Sequence, residues 1–372
     1  MNPPSSSPAL LQIQNISVLQ FKNYNEAHFG FAERIIGICG NNGSGKTNLL
    51  DAIYYLCFTK SYFSRTDAQN TRFGTNGFRL EGNFDWNGQT KKTVAILREN
   101  GKKEFSVDGE AYLKFSAHIG HFPCVMIAPD DTEMITGGSE ERRRFLDSTL
   151  SQLDAAYLTV LIEYTKILQQ RNALLKRTAE SGHLDKALLD ILDAQLMVPG
   201  EIIFAKRKSF LSGFTDRVSK YYSAIAGKDE AVEISYESQL LDASFPKLLG
   251  EFRNKDLLLA RTQAGIHKDD LRFMLADETF KNFASQGQRK SLLFALKLAE
   301  FDVLKEKKGF APLLLLDDVF EKLDDERMHN LLHKVTVEND GQLFITDTHC
   351  DRLGESLEKF GIPFQILELG SP

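Results

Sequence analysis

The residues Gly40-Asn41-Asn42-Gly43-Ser44-Gly45-Lys46-Thr47 constrain this chain more than any other stretch. They match G-x-x-x-x-G-K-[ST], a pattern that carries chemistry only where a strand runs into it and a helix runs out. Both flanks are present. Ile35-Ile36-Gly37-Ile38-Cys39 is a short apolar run suited to a buried strand, and Leu49, Leu50, Ile53 and Leu56 recur at the spacing of a helix with one packed face. Glycines let the backbone wrap an anion with its N–H groups inward, and the helix N-terminus adds positive potential. The expected site is a nucleotide cradle spanning Gly40 to Asn48, with Lys46 on the β- and γ-phosphates and the Thr47 hydroxyl on Mg²⁺.

A second part lies far downstream. Pro312 is followed by Leu313-Leu314-Leu315-Leu316 and then by Asp317-Asp318. Four leucines in a row suit a strand covered on both faces of a parallel sheet, and acids at its C-terminal end stand where such sheets bind ligands. Asp317 is expected to hold Mg²⁺ through water and Asp318 to orient or deprotonate the attacking water. Ser285-Gln286-Gly287-Gln288 precedes a run in which Leu292, Ala299 and Val303 keep helical intervals. On pattern alone two readings stand: a second anion-binding helix terminus, or an ordinary capped helix.

Composition sets limits. The 372 residues are 42% apolar and 26% charged, enough for one large core or two moderate ones. The net charge of −6 argues against a surface that is basic all over, while leaving room for a local basic stripe. Cys39, Cys57, Cys124 and Cys350 are widely spaced without a C-x-x-C pair, and buried reduced thiols are expected. Residues 1–9 are Pro/Ser-rich and read as a disordered tail, with no signal peptide. No stretch approaches the ~18 apolar residues of a membrane span, so a cytoplasmic chain without a membrane partner is expected.

Ser-x-Gly-Gln-x-Lys before a helix, ahead of Leu-Leu-Leu-Leu-Asp-Asp, resembles the signature motif of the ABC/SMC ATPases. Further motifs narrow this. Pro129-Asp130-Asp131, the run Gly137-Gly138-Ser139-Glu140-Glu141-Arg142-Arg143-Arg144-Phe145-Leu146-Asp147, Phe21-Lys22-Asn23-Tyr24, Gln170-Arg171-Asn172 and Gly265-Ile266-His267-Lys268-Asp269-Asp270-Leu271 are similar, in order, to motifs of the RecF family. Departures are Ser139 and Ile266 where Pro is common, Glu321-Lys322 where Ser-Glu is common, and Phe63 near a usual Arg, with Arg65 close by.

The resemblance implies an α/β, ABC/SMC-like P-loop ATPase head, a mixed parallel sheet plus antiparallel meander, with an inserted mostly helical arm. The head is expected at 10–140 and 262–372 and the arm at 141–261. It implies that Ser285, Gly287 and Gln288 touch ATP bound by a second copy, and that Asp324, after Leu323, lies in the D-loop crossing the seam. His349, after the strand Gln342–Thr346, is either the switch residue facing the γ-phosphate or a surface histidine, and Thr346 is the other switch candidate. Catalytic roles fall to Asp318, Lys46 and His349. Asp318 replaces the Glu usual in transporters and, one methylene shorter, implies slow hydrolysis. The implied function is an ATP-dependent homodimer on double-stranded and gapped DNA that helps load RecA with RecR, with RecO in the same pathway.

Within the arm, Pro199-Gly200 is expected to interrupt the longest helix, and Tyr157–Lys176 to be a helix with Leu158, Leu161, Ile162, Leu168 and Leu175 on its apolar face. Asn87-Gly88 and Asp108-Gly109 signal hairpin turns between meander strands. Basic runs include Lys91-Lys92, Lys102-Lys103, Lys206-Arg207-Lys208 and Arg142-Arg143-Arg144, the last being the DNA candidates. Such runs are commonly solvated faces. Two other classes compete: a transporter ATPase subunit and a small-molecule kinase. The inserted arm speaks against the first, and the signature helix against the second.

Overall fold

The computed structural model describes residues 11–276, 278–320 and 323–370. The tail expected at 1–9 and the Glu321-Lys322 departure lie outside the described residues. Strands β1 (Leu11–Phe21) and β2 (Tyr24–Gly30) form a hairpin, and β3 (Ile35–Cys39) leads through the glycine-rich loop into α1 (Lys46–Phe58). The meander follows as β4 (Phe78–Trp86), β5 (Gln89–Leu97), β6 (Lys103–Val107) and β7 (Glu110–Ala111). Asn87, Gly88, Asp108 and Gly109 all have positive φ, as two-residue hairpin turns require, so both turns fall where the sequence signals them. These strands form a six-stranded antiparallel sheet in the order β2-β1-β4-β5-β6-β7.

Next come β8 (Cys124–Ile127), α2 (Glu133–Thr136), α3 (Ser139–Leu153), α4 (Ala155–Ser181), α5 (Lys186–Ala226), β9 (Val232–Glu237) and α6 (Phe245–Leu259). They are followed by β10 (Asp270–Leu275), β11 (Glu278–Thr279), α7 (Phe280–Phe283) and α8 (Gln286–Lys308). The last elements are β12 (Leu313–Leu316), α9 (Asp325–His333), β13 (Leu343–Asp347), α10 (Cys350–Glu358) and β14 (Phe364–Glu368). A five-stranded parallel sheet runs β14-β3-β13-β12-β8.

The two faces of that sheet belong to different cores. Leu313 and Leu315 pack with α1 and the antiparallel sheet, whereas Leu314 and Leu316 pack with α8 and the long helices. The leucine run is therefore buried on both faces, as its pattern implies. Helix α1 is sandwiched, and every residue from Leu49 to Phe58 is buried. Each large apolar side chain there contributes roughly 1.5–3 kcal/mol, so the helix that starts at the cradle is firmly seated.

Three local expectations are corrected. Helix α5 continues through Pro199 for 41 residues. The proline forfeits a hydrogen bond, but it is buried next to the point where α4 and α6 pack on α5. Gly200 permits that contact, because a Cβ there would lie 2.3 Å from a ring carbon of Phe245. On α4 only Leu175 of the five named residues is buried; the inward stripe is Tyr157, Tyr164, Ile167, Arg171, Leu174 and Leu175. Arg171 joins it because Asp193 (2.6 Å) and Asp256 (2.7 Å) neutralise its guanidinium. Finally, Cys39 and Cys350 form a disulfide, while Cys57 and Cys124 are free and buried. Their 311-residue separation hides the pairing; β13 runs beside β3 and brings Asp347 opposite Cys39.

Candidate nucleotide site

The loop after β3 is held from behind. Gly45 has φ +104, and a Cβ on it would lie 2.7 Å from the Tyr24 hydroxyl and 2.8 Å from Asn23 Nδ2. Those groups use the space: Tyr24 Oη donates to the Gly45 carbonyl (3.0 Å) and Asn23 Nδ2 to the Gly43 carbonyl (3.2 Å). Asn48 Nδ2 in turn donates to Asn23 Oδ1 (2.7 Å). In the sequence Asn23 and Tyr24 stand out only as family marks, and nothing in their spacing announces this bracing.

Lys46 Nζ donates to the carbonyls of Gly40 (2.6 Å) and Asn41 (3.1 Å), so it folds over the loop. Ser44 Oγ is buried and, among the described residues, has no hydrogen-bond partner. A buried hydroxyl left over inside a glycine-rich turn at a helix start fits a site that receives an anion.

The acids meet this loop. Thr47 Oγ1 donates to Asp317, at 2.9 Å from Oδ2 and 3.1 Å from Oδ1, and Thr346 Oγ1 donates to Asp317 Oδ1 (2.8 Å). The Asp318 N–H donates to the same Thr346 oxygen (2.8 Å). Asp318 itself has φ +49, a left-handed turn that aspartate tolerates. Burial pushes the Asp317 carboxyl above its usual range; Thr346, Thr47 and Lys46 oppose that shift and Asp318 adds to it. Asp317, Asp318, Thr346 and Thr348 line one cleft with Asn42, Gly43 and the run Gly45 to Asn48. A threonine hydroxyl beside a carboxylate offers hard oxygen ligands, and two protein oxygens completed by water and phosphate is how Mg²⁺ is commonly held.

The remaining candidates lie apart from this cleft. Ser285 caps α8 in a reciprocal box: Gln288 N–H donates to Ser285 Oγ (3.2 Å) and Ser285 N–H to Gln288 Oε1 (2.8 Å). Gly287 sits in that first turn. Asp324 caps α9 by accepting from Arg327 N–H (2.8 Å). His349 is exposed at the N-cap of α10, and its N–H donates to Asp347 Oδ1 (3.2 Å); of the two switch candidates, Thr346 is the one in the cleft.

The arginine run is divided. Arg142 grips Asp270 with two hydrogen bonds (2.6 and 2.9 Å) and is buried, and Arg143 donates to the Asp269 carbonyl (2.6 Å). Both hold α3 to the segment entering β10, and the buried Arg142 has its guanidinium committed to Asp270. Arg144 is 60% exposed beside Glu140 and Glu141.

Comparison with known proteins agrees with this architecture. Residues 12–365 match the model of the RecF/RecN/SMC N terminal domain. The DNA replication and repair protein RecF of Flavobacterium johnsoniae is 45% identical over 96% of this chain and 100% of its own length. The chain belongs to the RecF family. RecF of Cytophaga hutchinsonii is 44% identical, covering 92% of this chain and 90% of that one. A solved structure of the recombination mediator protein RecF with ATPrS, in the RecFOR pathway, superposes with TM-score 0.84 at 31% identity, covering 92% and 94% of the two chains. The Smc head domain of Pyrococcus furiosus, at 15% identity and TM-score 0.56 over 97% and 94%, shares the fold. RecF-family membership makes this a DNA replication and repair protein, and the transporter reading is not favoured. No helix among the described residues is long and apolar enough to cross a membrane.

Proposed function

We propose that the chain is an ATP-gated DNA clamp in which hydrolysis resets a homodimer and no DNA bond is changed. The observation that carries this reading is the contact of Thr47 with Asp317, which joins the glycine-rich loop to the acidic strand end. Family membership supports it, as does the likeness to a RecF structure solved with ATP, at 30% identity over 93% of this chain.

In this reading the loop N–H groups and Lys46 bind the triphosphate, and Thr47 with Asp317 would hold Mg²⁺, whose chemistry is to neutralise charge on the β- and γ-phosphate oxygens. Asp318 orients the attacking water, slowly because its reach is short. Thr346 on β13 holds Asp317 and Asp318 in register. Ser285, Gly287, Gln288 and Asp324 act on the nucleotide of the second copy, which accounts for their distance from the cleft of their own chain. The head comprises 10–140 and 262–372 and the arm 141–261. DNA is held through phosphates by exposed basic groups such as Arg144, with weak sequence preference and steep salt dependence. The double-stranded side of a gap is the target, with RecR as partner and RecA loading as outcome.

Sedimentation with ATP, ADP or no nucleotide, with and without gapped duplex, tests this. ATP-specific dimers that retain DNA are expected. A monomer indifferent to ATP, or DNA binding unaffected by nucleotide, would contradict it.

A further inference from the structure

Four elements converge on one buried ion pair outside the cleft. Glu230 lies in the connection between the end of α5 and the start of β9. Its Oε1 accepts from Arg327 Nη2 (2.9 Å), and its Oε2 accepts from Gln288 Nε2 (3.0 Å) and the Tyr222 hydroxyl (2.5 Å). Lys228 also approaches, at 3.2 Å. The side chains of Glu230 and Arg327 are 9% and 11% exposed. Arg327 also donates from Nη1 to Ser291 Oγ of α8 (2.8 Å) and forms an ion pair with Asp324 (3.3 Å).

The connectivity gives this pair leverage. The Gln288 amide is bidirectional: its oxygen accepts from the Ser285 N–H and its nitrogen donates to Glu230. Glu230 thereby fixes which way the amide faces, and with it the turn that presents Ser285. Arg327 closes the far side, since Asp324 caps α9 through the Arg327 N–H and contacts the guanidinium. A charged pair at this burial is costly unless fully partnered, and here five distinct groups partner it. Neither residue lines the cleft that holds Lys46 and Asp317.

We propose that Glu230 and Arg327 are positioning residues that lock the Ser285 turn and the Asp324 turn into one rigid unit. This inference rests on the proposed shared-nucleotide dimer and names what prepares its far half. The two turns then meet the second copy's nucleotide together, and the base of the helical arm, through Tyr222 and Glu230, is mechanically tied to that unit.

The experiment compares wild type, Glu230→Gln and Tyr222→Phe for three quantities: ATP affinity of the dilute monomer, melting temperature, and the ATP-dependent dimer constant from sedimentation. Glu230→Gln keeps the shape but weakens the charge-assisted bonds, so the dimer constant should weaken roughly tenfold or more while monomer ATP affinity stays within about twofold. Tyr222→Phe, which removes one bond and keeps the ring, should give the same pattern at smaller size and serves if Glu230→Gln does not fold. Unchanged dimerisation in both variants overturns the inference, as does a loss of dimer that only tracks a lowered melting temperature. A wild-type chain that stays monomeric with ATP sinks the proposed function, and this inference with it; wild-type dimers matched by both variants sink this inference alone.

Discussion

Thr47 on the first turn of α1 and Asp317 at the end of β12, 270 residues later, are joined by a hydrogen bond of 2.9 Å. That bond brings the hydroxyl and the carboxylate to one point beside the loop. Thr47→Val should weaken Mg²⁺-dependent ATP binding by one to two orders of magnitude, given ~1.5–3 kcal/mol for a hydrogen bond to a charged group, and Thr47→Ser should not. Titration of ATP with and without Mg²⁺ measures this; equal Mg²⁺ dependence in Thr47→Val and wild type would count against the assignment.

The bracing of the loop by Tyr24 is separable from its burial. Tyr24→Phe keeps the ring and removes only the bond to the Gly45 carbonyl. A loss of about 1 kcal/mol, or roughly fivefold in ATP affinity, is expected with little change in melting temperature. An affinity equal to wild type would show that the loop holds its shape without the hydroxyl.

Glu300 provides a pH test away from the cleft. It is buried on α8; burial raises its carboxyl from 4.5 to about 7, Lys297 and Thr149 lower it, and Asp131 raises it. Because the folded value lies above the unfolded one, the native state holds the extra proton between them. Stability from this group is therefore full below pH ~4.5 and falls as pH rises to about 7, by about 3 kcal/mol in all. Glu300→Gln should remove that limb from a plot of unfolding free energy against pH. A limb that persists in the variant would assign it to another group.

The Cys39–Cys350 bond ties the end of β3, where the phosphate loop begins, to the start of α10. Cys350→Ser should lower the melting temperature of oxidised protein, since a disulfide typically contributes ~2–4 kcal/mol, and leave that of reduced protein, which lacks the bond, unchanged. Melting curves with and without a dithiol reductant decide it; identical curves for wild type in both conditions would show that the bond contributes nothing.

The parts of the site legible in the sequence are those whose chemistry is local. The glycines, Lys46 and Thr47 form one contiguous pattern, and Leu313 to Asp318 carry both burial and charge in adjacent positions. What was hidden depends on contacts between distant segments. Tyr24 reaches Gly45 across a hairpin, and Glu230 reaches Arg327 and Gln288 across three elements. Arg142 looked like a surface cation because its run is basic, yet Asp270 draws it inward. Pro199 misled for a related reason: packing on α5 outweighed a local propensity. The Cys39–Cys350 pairing required knowing that β13 runs beside β3.

The most direct measurement mixes two defective chains. Lys46→Met removes the loop lysine and Ser285→Arg blocks the signature turn, so neither variant alone should dimerise with ATP. Mixed together, they can build one intact site from Lys46 of one chain and Ser285 of the other. Sedimentation of the mixture with ATP should show heterodimers, absent with ADP. A mixture that stays monomeric while wild type dimerises, or a Ser285→Arg chain that dimerises by itself, would contradict the account.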